Sequence, residues 1–378
     1  MAVLTEEQAM LRDMARSWTT EKAPVSAFRK LRDSNSAIGY DPELYAEMAA
    51  MGWTGVIVPE EFGGSDFGTL ALGLVLEETG RTLTASPLLA SALAATSAIN
   101  LGGSAPQKQT WLPQMASGDL IATLAVDEQP RHNPSRVKTK AIKTPNGYIL
   151  NGEKVFVAEG MAAGLLVVSA RTQGNDQSEA GISLFLVPSD SNGIARQALK
   201  LTDCRGSANI QFSNVVLDET ALLGVESDGY ALLDKILDRA RVGVAAEMLG
   251  AASQAFETTV EYLKTRVQFG QPIGSFQALQ HRAAKMFTDL ELSRSCVEAA
   301  LVAIDDDNPD LPALASLAKA KMGETLHLIS NEMVQMHGGI GMTDAHDAGF
   351  YLKRARVQEA MYGNQAFHRD RYGRLQGY

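Results

Sequence analysis

The stretch that decides the fold is Q-M-H-G-G-I-G-M-T at 335–343, read together with R-V-Q-F-G-Q-P-I at 266–273. Each joins polar and glycine residues to a helix-patterned, apolar C-terminal third. Two such segments in one chain suit an elongated cofactor lying across helix ends, because glycine lets backbone come close to a ligand. Gly338-Gly339-Ile340-Gly341 follows a helical pattern rather than a strand, and no G-x-G-x-x-G opens a helix. A βαβ dinucleotide fold is therefore excluded. Further along stands Tyr362-Gly363-Asn364, a tight spot with no acid in it.

The chain has 378 residues, 45% hydrophobic and 21% charged, an ordinary globular composition with more sequence than one core uses. Its texture changes twice. Residues 1–118 read as helices, 119–225 as short alternating strands, and 226–378 as helices again. This predicts an α+β arrangement: a helical N-terminal domain, a middle β-barrel or sandwich, and a C-terminal four-helix bundle. The net charge of −10 argues against nucleic acid as a partner. Cys204 and Cys296 have no metal-ligand spacing, and no histidine pair sits at metal-binding helical spacing, so no metal site is expected. The N-terminus lacks the pattern of a signal peptide, and no charge-free apolar run reaches the ~18 residues of a membrane span. A cytoplasmic protein without membrane insertion is expected.

Local signals place the elements. Thr5 with Gln8 forms a capping box, and Asp41-Pro42 an N-cap followed by proline at the first helical position. Residues 69–100 are alanine-rich and helical in pattern. Asn146-Gly147 and Asn151-Gly152 are turn signals, and 165–168 and 182–187 read as strands. One helix is expected to run unbroken from about Tyr230 to Arg266.

These residues, in this order, resemble the acyl-CoA dehydrogenase family of flavoenzymes. The resemblance covers nearly the whole chain. It rests on V-P-E-E-F-G-G-S at 58–65, N-G-x-K at 151–154, R-V-Q-F-G-Q-P-I-x-x-F-Q at 266–277 and Q-M-H-G-G-I-G-M-T at 335–343. It implies FAD, oxidation of the Cα–Cβ bond of an acyl-CoA thioester, an electron acceptor such as an electron-transfer flavoprotein, and a dimer of dimers. Carried over, Arg266 meets the FAD pyrophosphate, Phe269 packs nearby, and Phe276 with Gln277 contacts the adenosine half. Gln335, Gly338 and Gly339 approach the dinucleotide of the neighbouring subunit. Phe156 shields the flavin face, and Asn364 lies beside the cofactor.

The pattern fails at the base. The family's commonest glutamate position, counted forward from Arg354, is Gly363, and the alternative position before an arginine on the long helix is Ala240. Gly363 still offers a backbone N–H to polarise a thioester carbonyl. Glu247 is a candidate base: it shares one helical face with Ala240, Val244 and Ala251. A buried structural acid paired with a neighbouring helix is the other reading of Glu247. Small residues around it (Gly243, Ala245, Ala246, Gly250, Ala251, Ala252) leave room for a bulky acyl group. Arg241 orients the site, meets the CoA moiety, or forms an interhelical ion pair. The flavin loop departs too, reading A-V-D-E-Q-P-R-H-N-P at 125–134, and Ala158 has no hydroxyl near flavin N5.

The sequence thus points to an FAD-dependent acyl-CoA dehydrogenase, catalytic through Glu247, Arg241 and Gly363, acting on a bulky, steroid or dicarboxylic acyl group. Two alternatives stay open. One is a non-catalytic subunit that completes a related partner's FAD site in a hetero-tetramer. The other is an oxidase-type relative with altered chemistry.

Overall fold

The computed structural model describes residues 4–378. Helices come first: α1 (Glu6–Lys22), α2 (Val25–Ser34), α3 (Pro42–Ala50), α4 (Thr69–Arg81), a π-helical stretch (Leu88–Ala95), α5 (Thr96–Gly102) and α6 (Ala105–Ala116). Strands follow: β1 (Ala122–Ala125), β2 (Lys140–Thr144), β3 (Gly147–Val157), β4 (Leu165–Arg171), β5 (Ile182–Pro188), β6 (Ile194–Ala198), β7 (Ala208–Leu217) and β8 (Leu222–Leu223). Then come α7 (Tyr230–Thr265), a hairpin of β9 (Val267–Gln268) and β10 (Gln271–Pro272), and α8 (Gln277–Asp305), α9 (Leu311–His337), α10 (Ala348–Ala360) and α11 (Gln365–Leu375).

The caps behave as the sequence dictates. Thr5 and Gln8 close a reciprocal capping box on α1, and Asp41 accepts from Glu43 N at the start of α3. The helix expected over 69–100 is broken. It stops at Arg81, because Leu83 takes a left-handed φ of 57° and Pro87 supplies no N–H to continue the ladder.

The chain divides into two compact units. One comprises Lys30–Leu72 and Ala85–Ala240; the other comprises residues through Arg29, Gly73–Thr84 and Arg241–Tyr378. In the first, an eight-stranded sheet runs β6-β7-β3-β2-β4-β5-β8, with β1 parallel to β4. In the strand ladder β2 pairs with β4 at Lys140↔Arg171. The Tyr148 ring of β3 and the Phe185 ring of β5 lie 4.9 Å apart, edge to face. Asn146-Gly147 makes the β2–β3 turn as expected. Asn151-Gly152 does not make a turn. It lies inside β3 at a register shift, where Gly152 (φ 153°) passes close against Thr139. The lysine of the same N-G-x-K segment is fully buried: Lys154 Nζ donates to Glu128 Oε1 (2.8 Å), Val126 O and Ser169 Oγ (both 3.0 Å).

In the second unit, α9 packs against α8, α10 and α11. Ala315, Met322, Leu326, Ile329 and Met333 line its buried face at helical spacing, each large side chain contributing about 1.5–3 kcal/mol on burial.

Candidate active site

The turn between α10 and α11 is the first place to look, because a base is expected there. Tyr362 adopts a left-handed φ of 52°, a conformation costing a non-glycine residue about 1 kcal/mol. Its carbonyl accepts from His368 Nε2 (3.1 Å) and from Arg241 Nε (3.4 Å), which reaches across from α7. Gly363 has a φ of 109°, and a Cβ there would lie 2.5 Å from Phe367 Cδ1 and 2.8 Å from His368 Nε2. Glycine is therefore required twice over, by conformation and by space. The Gly363 N–H, expected to be free for a thioester carbonyl, instead donates to Ala360 O over a long 3.3 Å. Asn364, expected beside the cofactor, is the N-cap of α11, its side chain accepting from Phe367 N at 3.0 Å.

A residue the sequence reading missed completes this turn. Lys319 of α9 is 1% exposed, and its ammonium donates to the carbonyls of Gln358 (2.9 Å), Gly363 (3.0 Å) and Glu359 (3.2 Å). Burial pushes its pKa down to about 7; Glu359 opposes that shift and the Arg241 cation adds to it. The signal was available, since a lysine inside an apolar stripe at helical spacing is the mirror image of the argument that singled out Glu247.

Arg241 is 0% exposed. It donates to the Tyr362 carbonyl and stands 5.5 Å from the Phe367 ring centroid. Glu247, 4% exposed, is not a lone carboxylate. Arg354 Nη2 of α10 reaches both its oxygens, at 2.9 and 3.1 Å. The small residues beside it also find another use. A Cβ on Gly80 of α4 would strike the Glu247 carbonyl, and one on Gly250 would strike the Glu77 carbonyl. The two helices cross backbone to backbone here, so Gly250 leaves no acyl room.

The expected cofactor residues gather at another end of the same unit. Arg266 directly follows α7, and Phe269 sits at the tip of the β9–β10 hairpin, 91% exposed with a φ of 54°. Phe276, the N-cap residue of α8, holds its ring edge-on to Phe269 at 6.0 Å. Gln277 opens α8 in solvent. The end of α9 lies close by: Tyr262 stacks on His337 at 4.3 Å, and Arg282 pairs with Glu332 across α8 and α9. Thr265 and His337 line one shallow groove of about 570 Å³. Gln335, Gly338 and Gly339 are exposed, and a Cβ on either glycine would meet nothing within 4 Å. One chain thus brings the end of α7 and the end of α9 to one groove.

Family models for the acyl-CoA dehydrogenase N-terminal, middle and C-terminal domains match residues 5–119, 122–219 and 227–375. The chain belongs to the acyl-CoA dehydrogenase family. It is 31% identical over 376 residues to the acryloyl-CoA reductase (NADH) of Anaerotignum propionicum, covering 97% of this chain and 93% of that one. A solved steroid ACAD variant is 31% identical, with a TM-score of 0.89 and 98% of each chain covered. The ChsE4-ChsE5 complex from Mycobacterium tuberculosis is 27% identical, with a TM-score of 0.90 and 100% of each chain covered.

Acyl-CoA dehydrogenases are FAD-dependent flavoproteins, so the chain is an oxidoreductase acting on CH–CH groups with FAD as cofactor. The residues at the α7–α8 and α9 ends fit a dinucleotide. The glycine backbone is open to close approach, the Arg266 side chain is exposed, and the Phe269 ring stands out beside the half-buried Phe276. In the other unit, Phe156 is half exposed with a φ of 53°, and Ala158 presents its carbonyl to Thr123 Oγ1 at 2.7 Å. The departing 125–134 loop is well anchored: Glu128 takes Lys138 N, Thr139 N and Lys154 Nζ, and Asp127 takes His132 Nδ1. Among the described residues no helix is long and apolar enough to cross a membrane.

Proposed function

We propose that this acyl-CoA dehydrogenase oxidises the Cα–Cβ bond of an acyl-CoA thioester to the trans-2-enoyl thioester, with Glu247 accepting the α-proton. One contrast carries the reading: Gly363 cannot bear a side chain, whereas Glu247 is a buried carboxylate on the helix that also supplies Arg241. The reaction removes a weakly acidic proton from Cα and a hydride from Cβ, so a base must stand within hydrogen-bond reach of Cα. Bound FAD supplies the acceptor for the hydride. Arg266 would hold the pyrophosphate, since a guanidinium can pair two phosphate oxygens at once. Phe269, Phe276 and Gln277 hold the adenosine half, and Gln335 with Gly338 and Gly339 lets the dinucleotide approach the backbone. Phe156 and Ala158 would serve the flavin, and Asn364 fixes the start of α11. Arg241 orients the turn, and Arg354 fixes the direction in which the Glu247 carboxylate points.

The likeness to a steroid ACAD supports a bulky acyl group, a steroid side chain or a dicarboxylic ester. Electrons pass on to an acceptor such as an electron-transfer flavoprotein, from a homo- or hetero-tetramer. The two free cysteines suit the reducing cytoplasm.

A second reading is favoured by the same glycine: this chain is a base-free subunit completing the FAD site of a related partner, as the complex named above suggests by its two components. Visible spectra of the pure chain with a panel of acyl-CoA thioesters decide between them. On the first reading the lone chain is yellow and bleaches with one thioester, and Glu247→Gln slows bleaching by about 100-fold or more. Undiminished bleaching by Glu247→Gln removes the base assignment. A colourless chain that turns over only on co-expression with a partner supports the second reading.

A further inference from the structure

Lys319 is a buried ammonium that no step above uses. Its three acceptors are chosen: Gln358 and Glu359 lie in the last turn of α10, where carbonyls lack intrahelical partners, and Gly363 lies past the bend. A single cation thus ties the exit of α10 to Gly363, the residue just before the N-cap of α11. Arg241 grips the intervening Tyr362 carbonyl from α7, and His368 grips it from α11. The charged and titratable groups facing the ammonium are Arg241 from α7 and Glu359 from α10, with His368 of α11 on the same turn. Tyr362 stays in a left-handed conformation with a cationic or imidazole donor on its carbonyl, and a fixed carbonyl on either side of it. Ordinary helix-end capping would need one of these contacts; the turn has five.

We propose that Lys319 is a positioning residue of the dehydrogenase site: with Arg241 it sets the backbone conformation of the Tyr362–Gly363 turn and so the wall against which the acyl thioester is held. The proposal rests on the functional reading above, in which this turn borders the reacting carbons. Lys319 touches no reacting atom; it acts through the Gly363 carbonyl. Replacing it by an apolar side chain of similar length leaves three carbonyls without their donor and frees the turn to relax.

The test uses the flavin-loaded protein, Lys319→Met and Lys319→Gln. Hydrogen–deuterium exchange is followed on peptides spanning 358–368 and, as a control, on peptides within α8. Single-turnover bleaching by the best acyl-CoA of the panel gives a rate constant and a Kd. Expected are at least tenfold faster exchange at 361–367 in Lys319→Met, unchanged exchange in α8, a bleaching rate constant down tenfold or more with Kd nearly unchanged, and partial recovery in Lys319→Gln, which keeps an N–H donor. If Lys319→Met fails to fold, Lys319→Gln carries the same readouts at intermediate size. Exchange at 361–367 identical to wild type overturns the proposal. So does faster exchange with an unaltered bleaching rate, which would leave Lys319 a merely structural residue. A wild type that bleaches with no acyl-CoA sinks the functional reading itself, and the positioning role with it.

Discussion

The Tyr362–Gly363 turn and the α7–α8 edge belong to one unit, yet they are built on opposite plans. At the turn every carbonyl is met by a donor from Lys319, Arg241 or His368, and a side chain on Gly363 is barred. At the edge Phe269 and Gly338-Gly339 stand bare. A region satisfied by its own chain has its geometry before ligand arrives; a bare region acquires its partners from outside. On the proposed function the difference separates what would fix the site from what would recruit the cofactor, and each side can be tested against the other.

The strongest expected effect falls on the sealed side. Arg354→Met leaves the Glu247 carboxylate buried without its cation and should cost about 4 kcal/mol in denaturant unfolding. A cost near zero would show that Glu247 is solvated, removing it from the sealed set. The pH dependence comes next. Lys319 titrates at about 7 in the folded protein against 10.5 as its ordinary value. Between those limits the unfolded chain binds the extra proton, so wild-type stability, measured against Lys319→Met, should fall steadily as pH drops from 10.5 to 7 and level off below. A parallel pair of stability curves would contradict the burial of the charge. Gly363→Glu, the obvious attempt to restore a base, should lose about 2–3 kcal/mol and gain no activity, from left-handed strain plus overpacking. A stable, faster variant would mean the turn opens.

Smaller effects belong to the bare side, and they should appear in cofactor binding rather than folding. Arg266→Ala should weaken FAD binding by ~10–100-fold, the worth of a charge-assisted phosphate contact, while the unfolding midpoint of the flavin-free protein stays put. Phe269→Ala should weaken it by about fivefold, as one lost ring contact would. A stability loss in either flavin-free variant would erase the contrast between the two regions.

The sequence was most legible where periodicity and caps act locally. Thr5, Asp41 and the unbroken run of α7 come from signals within a few residues of themselves. It was least legible where distant chain segments share space. Asn151-Gly152 looks like a turn, but Gly152 is there because β3 passes close to Thr139. Gly250 looks like room for substrate, but the space belongs to the Glu77 backbone. Motif spacing singles out Arg266 and Gly338 separately, while the meeting of the ends of α7 and α9 depends on tertiary packing that no local signal carries. Lys319 was overlooked because its three acceptors are backbone atoms, which carry no residue-type signal.

The crossing of α4 and α7 has a further meaning for Glu247. With Gly80 against its carbonyl and Gly250 against Glu77, the two helices meet too closely for a side chain at either glycine. The carboxylate therefore rides on main chain that cannot slide, twist or recede without collision. Any remodelling of this enzyme toward new acyl groups has to happen elsewhere, since one methyl added at either glycine would push the helices apart and carry the acid with them.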